Sequence, residues 1–216
     1  MAKIVEMTAD EWDLSRAPKK MLPHAQKGKN ARKLRLFACA CCRTVWDLIP
    51  SEVCREGVKV AERFAEGLAT EAEREAINRK VDAILDAGDK RDSLKLCVSW
   101  ALASPTAWNV SFAPEVTSSI SRSVVGTKLF RIQADLLRCI FGNPFRTVIF
   151  DPAWRTDTAV TLAKGIHENR DFSVLPILAD ALQDAGCDDP HLLGHCRAKT
   201  SHAQGCWVVD GVLGKA

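Results

Sequence analysis

The chain has no tyrosine and only three methionines among its 216 residues, so its aromatic weight rests on six tryptophans and eight phenylalanines. It also lacks a strong charge of either sign. A net charge of +3 is too small to mark nucleic acid or an anionic membrane as a partner. No long hydrophobic run is present. The longest uncharged stretch, residues 96–114, is broken by Ser99, Ser104, Pro105, Thr106, Asn109 and Ser111, which predicts a buried segment and loop rather than a membrane span. Met1-Ala-Lys-Ile-Val-Glu6 leads into no apolar region, the pattern of a chain without a secretory leader. There is no long internal repeat and no low-complexity tract. No phosphate-cradling glycine loop, serine-nucleophile elbow or His-Glu-x-x-His zinc motif occurs. These absences leave no catalytic constellation to read, though they do not exclude an enzyme.

What the chain does have in quantity is cysteine, nine residues in all. Cys39, Cys41 and Cys42 share one helical turn, where they cannot pair with each other. With an odd total and no leader, a disulfide framework is not expected. Reduced thiols in a cytoplasmic protein, mostly packed as small hydrophobes, are the reading that follows.

Those three cysteines lie in residues 32–49, RKLRLFACACCRTVWDLI. Leu34, Phe37, Cys41, Val45 and Leu48 form one apolar stripe at helical spacing, and Cys39, Cys42, Trp46 and Ile49 form another. A helix apolar all round is a buried one, so this stretch is expected to be a central helix ending at Pro50. Thr8 with Glu11, and Thr70 with Glu73, have the spacing of capping boxes. Asn30, Ser51 and Asp189 are further candidate caps, and Gly186 is a stop signal. Amphipathic spacing recurs over 51–68, 70–87, 127–141, 157–166 and 174–185. Thr147-Val-Ile-Phe150 reads as a short strand or an extended packed segment. The expected fold is all-α, an irregular multi-helix bundle around the buried central helix with at most one short strand or hairpin. Residues 1–216 form a single helical domain, with a sub-boundary at most in the serine- and proline-containing region 104–126.

Several strings together resemble one bacterial protein family that is expanded in planctomycetes. They are Met7-Thr-Ala-Asp-Glu-Trp12, the run from Arg32 to Arg43, and the run from Val60 to Thr70. Later come Phe141-Gly-Asn-Pro-Phe-Arg146, Asp151-Pro-Ala-Trp154 and Leu175-Pro-Ile-Leu-Ala-Asp-Ala-Leu182. The last are His195-Cys-Arg197, His202 and Gly205-Cys-Trp-Val-Val-Asp210. The resemblance spans nearly the whole chain except residues 89–125. It implies membership and assigns no activity.

The chemistry gathers near the C-terminus, at Cys187, His191, His195, His202 and Cys206, with Cys196 beside His195. His191 and His195 are four apart and share a helix face, as in zinc-binding helices. Cys187, His202 and Cys206 could complete a closed tetrahedral site, stapling a tail with little secondary structure of its own. Against this, residues after 186 contain no Cys-x-x-Cys pair, and packed thiols with surface imidazoles would give the same pattern. A cysteine nucleophile, Cys196 beside His195 or Cys42 beside Arg43, would need a base placed in space. Asp151 and His167-Glu168 are acid–base candidates, with Asp151 also explained as a helix cap. Lys27, Lys29, Arg32, Lys33 and Arg35 form either a solvated helix entrance or a phosphate-binding patch. Serines 118, 119, 121 and 123 read as a polar connection.

The leading expectation is a non-enzymatic helical module that binds another macromolecule, most simply a protein, with Trp108 and Trp154 as aromatic anchors. The alternative is a zinc-stabilised module that contacts nucleic acid through residues 27–35.

Overall fold

A computed structural model describes residues 6–28, 30–49, 51–87, 98, 101–102 and 126–215. Among these there are ten α-helices and no strand, as an all-α fold requires. They are α1 (Ala9–Leu14), α2 (Pro18–Ala25), α3 (Ala31–Arg43), α4 (Glu52–Ala65), α5 (Glu71–Ala87), α6 (Gly126–Phe141), α7 (Asp157–Asn169), α8 (Leu175–Asp184), α9 (Pro190–Arg197) and α10 (Trp207–Leu213). None is long and apolar enough to cross a membrane.

The helix starts follow from local chemistry. Thr8 Oγ1 accepts from the Glu11 amide at 3.2 Å while Glu11 accepts from the Thr8 amide at 2.8 Å. Thr70 and Glu73 repeat the exchange at 3.2 and 2.8 Å. Asn30 Oδ1 takes the Lys33 amide at 2.9 Å. Each pair satisfies amide donors that the helix itself leaves unpaired. Ser51 occupies the N-cap position of α4, but its side chain makes no capping hydrogen bond.

Helix α3 is buried around its circumference, from Leu34 through Cys42. It is shorter than expected. Its α-helical part stops at Arg43, and residues 46–48 form a 3-10 turn instead. Thr44 donates its hydroxyl to the Cys41 carbonyl at 2.7 Å, and Val45 leaves helical geometry at φ −123° and ψ 24°. Two β-branched residues in succession, one bonding back to the preceding turn, favour that exit. The first stripe therefore ends at Val45, with Leu48 57% exposed, while Ile49 of the second stripe stays buried in the core. Trp46 is half-buried, with the Arg43 guanidinium 4.1 Å above its ring.

Buried side chains form two apolar clusters. The first joins α1–α5 to one side of α6 and includes Trp12, Met21, Phe37, Cys39, Val58, Val81, Leu137 and Ile140. The second joins α7–α10 to the other side of α6 and includes Cys139, Ala163, Ile166, Leu178, Leu192 and Val208. Helix α6 is thus the shared wall. Residues 147–150 form no strand. Val148 and Phe150 pack on the second cluster while Ile149, between them, is 81% exposed, the alternation of extended backbone.

Gly57 in α4 has a packing reason. A Cβ there would meet Val98 Cγ1 at 3.0 Å, Leu102 Cδ1 at 3.1 Å and Val81 Cγ2 at 3.3 Å. Gly57→Leu is therefore expected to cost about 1–3 kcal/mol by overpacking, read as a lower urea midpoint at unchanged m-value.

The basic stretch 27–35 turns inward rather than forming a solvated entrance. Arg32 donates to both oxygens of Asp210 at 2.6 and 3.1 Å and to Glu66 at 2.8 Å. Arg35 is 2% exposed. It donates to the Ala101 carbonyl at 2.6 Å and lies over the Phe64 ring. Among the described members of the group only Lys27 is exposed, Lys33 is half-buried, and Lys29 lies outside the described residues.

Candidate metal centre

Four side chains from four places in the fold converge between α6 and the C-terminal segment. They are Cys139 of α6, His195 of α9, His202 of the loop that follows, and Cys206 at the N-cap position of α10. One nitrogen or sulfur from each lies within 4.8 Å of all the others. His195 Nε2 is 3.3 Å from Cys206 Sγ, and His202 Nδ1 is 3.6 Å from Cys139 Sγ. The two imidazoles stand nearly perpendicular, 83° apart with centroids 5.0 Å from each other.

Local structure aims each donor. Asp189 Oδ1 accepts from the His191 and Leu192 amides at 2.8 and 2.9 Å, starting α9 with Pro190 in its first turn. Leu192 and Cys196 bury the inner side of that helix and leave His195 at its edge. His202 Nε2 lies 3.2 Å from the Ala198 carbonyl. A carbonyl only accepts, so Nε2 carries the proton and the Nδ1 lone pair faces the sulfurs, the usual outer partner of a ligating imidazole. The His202 ring also stacks on Phe172 at 22°. Gly205, at φ +86°, turns the chain back towards α3, and a Cβ there would lie 2.8 Å from Leu36 Cδ1. That close return seats Cys206, which is 1% exposed.

The electrostatics already resemble a cation site. Burial by itself would push the Cys206 thiol up. Contact with the Cys139 thiol and with both imidazoles overcomes this and holds Cys206 well below the ordinary thiol range. Cys139 moves the opposite way, driven well above its usual value by burial and by the neighbouring Cys206. Burial works against a charged His202, but the hydrogen bond and charge of Cys206 raise it on balance. A divalent ion among these donors would supply the sulfurs with a full counter-charge.

Three of the five residues picked from the sequence, His195, His202 and Cys206, are therefore brought together, and two are not. His191 does share the cleft side of α9 with His195. One helical turn, about 5 Å of rise, carries it to the outer rim, where its ring nitrogens lie 3.0 and 3.1 Å from Arg146 Nη1. Cys187 is 2% exposed and belongs to the second apolar cluster. Sequence reading missed Cys139. In an apolar helix it has the same local pattern as Cys54 and Cys196, which pack as core, and it lies 63 residues from His202. All eight described cysteines are buried and free of disulfides.

The other candidates are occupied otherwise. Cys42 is fully buried, and Arg43 beside it is held by Glu62 at 3.0 and 2.7 Å. Burial pushes the Cys196 thiol far up, the reverse of what a nucleophile needs. Asp151 accepts the Ala153 amide at 2.8 Å as a cap. His167 lies 2.8 Å from Lys215 Nζ, in a buried ionic network with Glu66. Trp154 is half-buried against Phe150 rather than free as an anchor. Trp108 and serines 118, 119, 121 and 123 lie outside the described residues. Comparison with protein-family models, curated proteins and solved structures finds no match.

Proposed function

We propose that Cys139, His195, His202 and Cys206 bind one structural Zn2+, and that the helical module so fastened works by binding another protein. The convergence of the four donors within 4.8 Å carries this reading. Two thiolates and two imidazoles form a closed tetrahedral set, and thiolate selects zinc over magnesium or calcium. The ion would pin residues 198–206, which contain no helix, and α10 onto α6, the wall shared by both cores. A protein partner is supported by apolar side chains left in solvent, Leu14 and Ile149 at 81% each. The inward commitment of Arg32 and Arg35 weakens the nucleic-acid alternative by removing its electrostatic footprint.

Zinc measured on purified protein is expected at one equivalent per chain. Cys139→Ser, His202→Ala and Cys206→Ser should each lose most of it, while Cys187→Ser and His191→Ala should keep it. Full zinc in Cys139→Ser would refute the assignment. Salt-sensitive binding of DNA or RNA would favour the alternative partner.

A further inference from the structure

A cleft of about 590 Å³ opens beside the metal centre, between α6, α9 and α10. That volume suits a small ligand. Its apolar surface comes from Phe141, Phe150 and Trp207, with the Phe150 and Trp207 rings 6.0 Å apart. Gly142, at φ +67°, keeps that surface flat, since a Cβ there would sit 3.4 Å from the Trp207 ring.

Four cations line the same cleft, and three are spent. Arg138 donates to the Trp12 and Ser15 carbonyls at 3.0 and 2.9 Å and to Asp135 at 2.7 Å. Arg146 holds Asp10 and Asp13 at 2.6 and 2.9 Å. Lys215 donates to Glu66 at 2.9 Å. Lys33 differs. Among the described residues nothing accepts a hydrogen bond from its ammonium, although burial already weighs against its charge. Asp210, the acid whose field it feels most, is taken up by both guanidinium nitrogens of Arg32. A half-buried ammonium without a hydrogen-bonding partner is costly to keep, and here it lines a cleft with an aromatic wall.

We infer that the cleft receives a small organic anion, its carboxylate or phosphate on Lys33 and a flat apolar body on Trp207. This does not rest on the zinc reading. The competing role for Lys33 is to serve only as counter-charge for the Cys139 and Cys206 sulfurs, whose charges it also feels.

The test uses the full chain as purified, with its metal content measured in the same sample. The probes are 2-naphthoate, 2-naphthyl phosphate and the uncharged 2-naphthalenemethanol. The readout is the indole N–H signal of Trp207, identified by its loss in Trp207→Phe. At least one naphthyl anion should move that signal saturably. Lys33→Met should weaken anion binding about tenfold or more, with metal content and affinity for the alcohol unchanged. Lack of response to both anions would overturn the inference. So would equal anion affinity in Lys33→Met, whether or not that variant lost metal.

Discussion

Stripping zinc with a chelator is expected to lower the melting temperature by about 10 °C. The magnitude follows from linkage. An ion present at about a thousand times its dissociation constant stabilises the folded state by about 4 kcal/mol. In a chain of this length each kcal/mol moves the midpoint by about 2–4 °C. The effect should be large because the donors come from distant parts of the chain. Cys139 belongs to α6, while the other three follow α8, so losing the ion frees residues 198–206 and leaves buried sulfurs without a counter-charge. Readdition of zinc should restore the midpoint. Cys206→Ser should melt at the stripped temperature with or without zinc, whereas Cys187→Ser should respond to zinc like the parent protein. A stripped protein that melts unchanged would argue against a structural ion.

The second large effect is expected at Asp210. Its carboxylate side chain is 2% exposed, and it holds Arg32 from the opposite half of the fold. Glu66, 4% exposed, holds Arg32 and Lys215 in the same network. Removing one partner of a buried pair strands the other charge, a loss of about 3–5 kcal/mol. Asp210→Ala should fall near the lower end, since Glu66 still engages Arg32. Urea unfolding would measure it, with Asp13→Ala as control. Asp13 pairs with Arg146 at a side chain 38% exposed, and such surface pairs contribute about 1 kcal/mol or less.

The same network sets an acid dependence. Burial would raise Glu66, but its hydrogen bond to Lys215 and the Arg32 charge outweigh that and hold it below its ordinary 4.5. A lowered carboxyl contributes stability fully above its unfolded value and loses it as pH falls through the folded one. His167 is also lowered from its ordinary 6.5, chiefly by burial, with the nearby Lys215 and Arg32 charges opposing the pull of Glu66. Its contribution is complete above pH 6.5 and lost on acidification. Stability should therefore decline from just below pH 6.5 downwards, and Glu66→Gln should flatten the more acidic part of that decline.

How far these features could be read in advance depends on their range. Thr8, Asn30, Thr70 and Asp189 bond to amides two or three residues away, so composition and spacing suffice to find them. The burial of α3 was legible from its two stripes. Its early end was not, because Thr44 is polar and small enough to pass for one more helical residue until its hydroxyl bonds back. Arg32 and Arg35 looked like surface charges because Asp210 lies 178 residues and Ala101 66 residues away. The candidate metal centre divides on the same line. His195, His202 and Cys206 cluster in sequence and could be found. Exchanging Cys187 for Cys139 required knowing which face of α6 turns towards α10.

Zinc K-edge X-ray absorption on the purified chain tests the four-donor centre most directly. Two sulfurs at about 2.3 Å and two imidazole nitrogens at about 2.0–2.1 Å are predicted, with one sulfur lost from the shell of whatever zinc Cys139→Ser retains. A shell of oxygen and nitrogen alone, or a two-sulfur shell that survives that substitution, would contradict it.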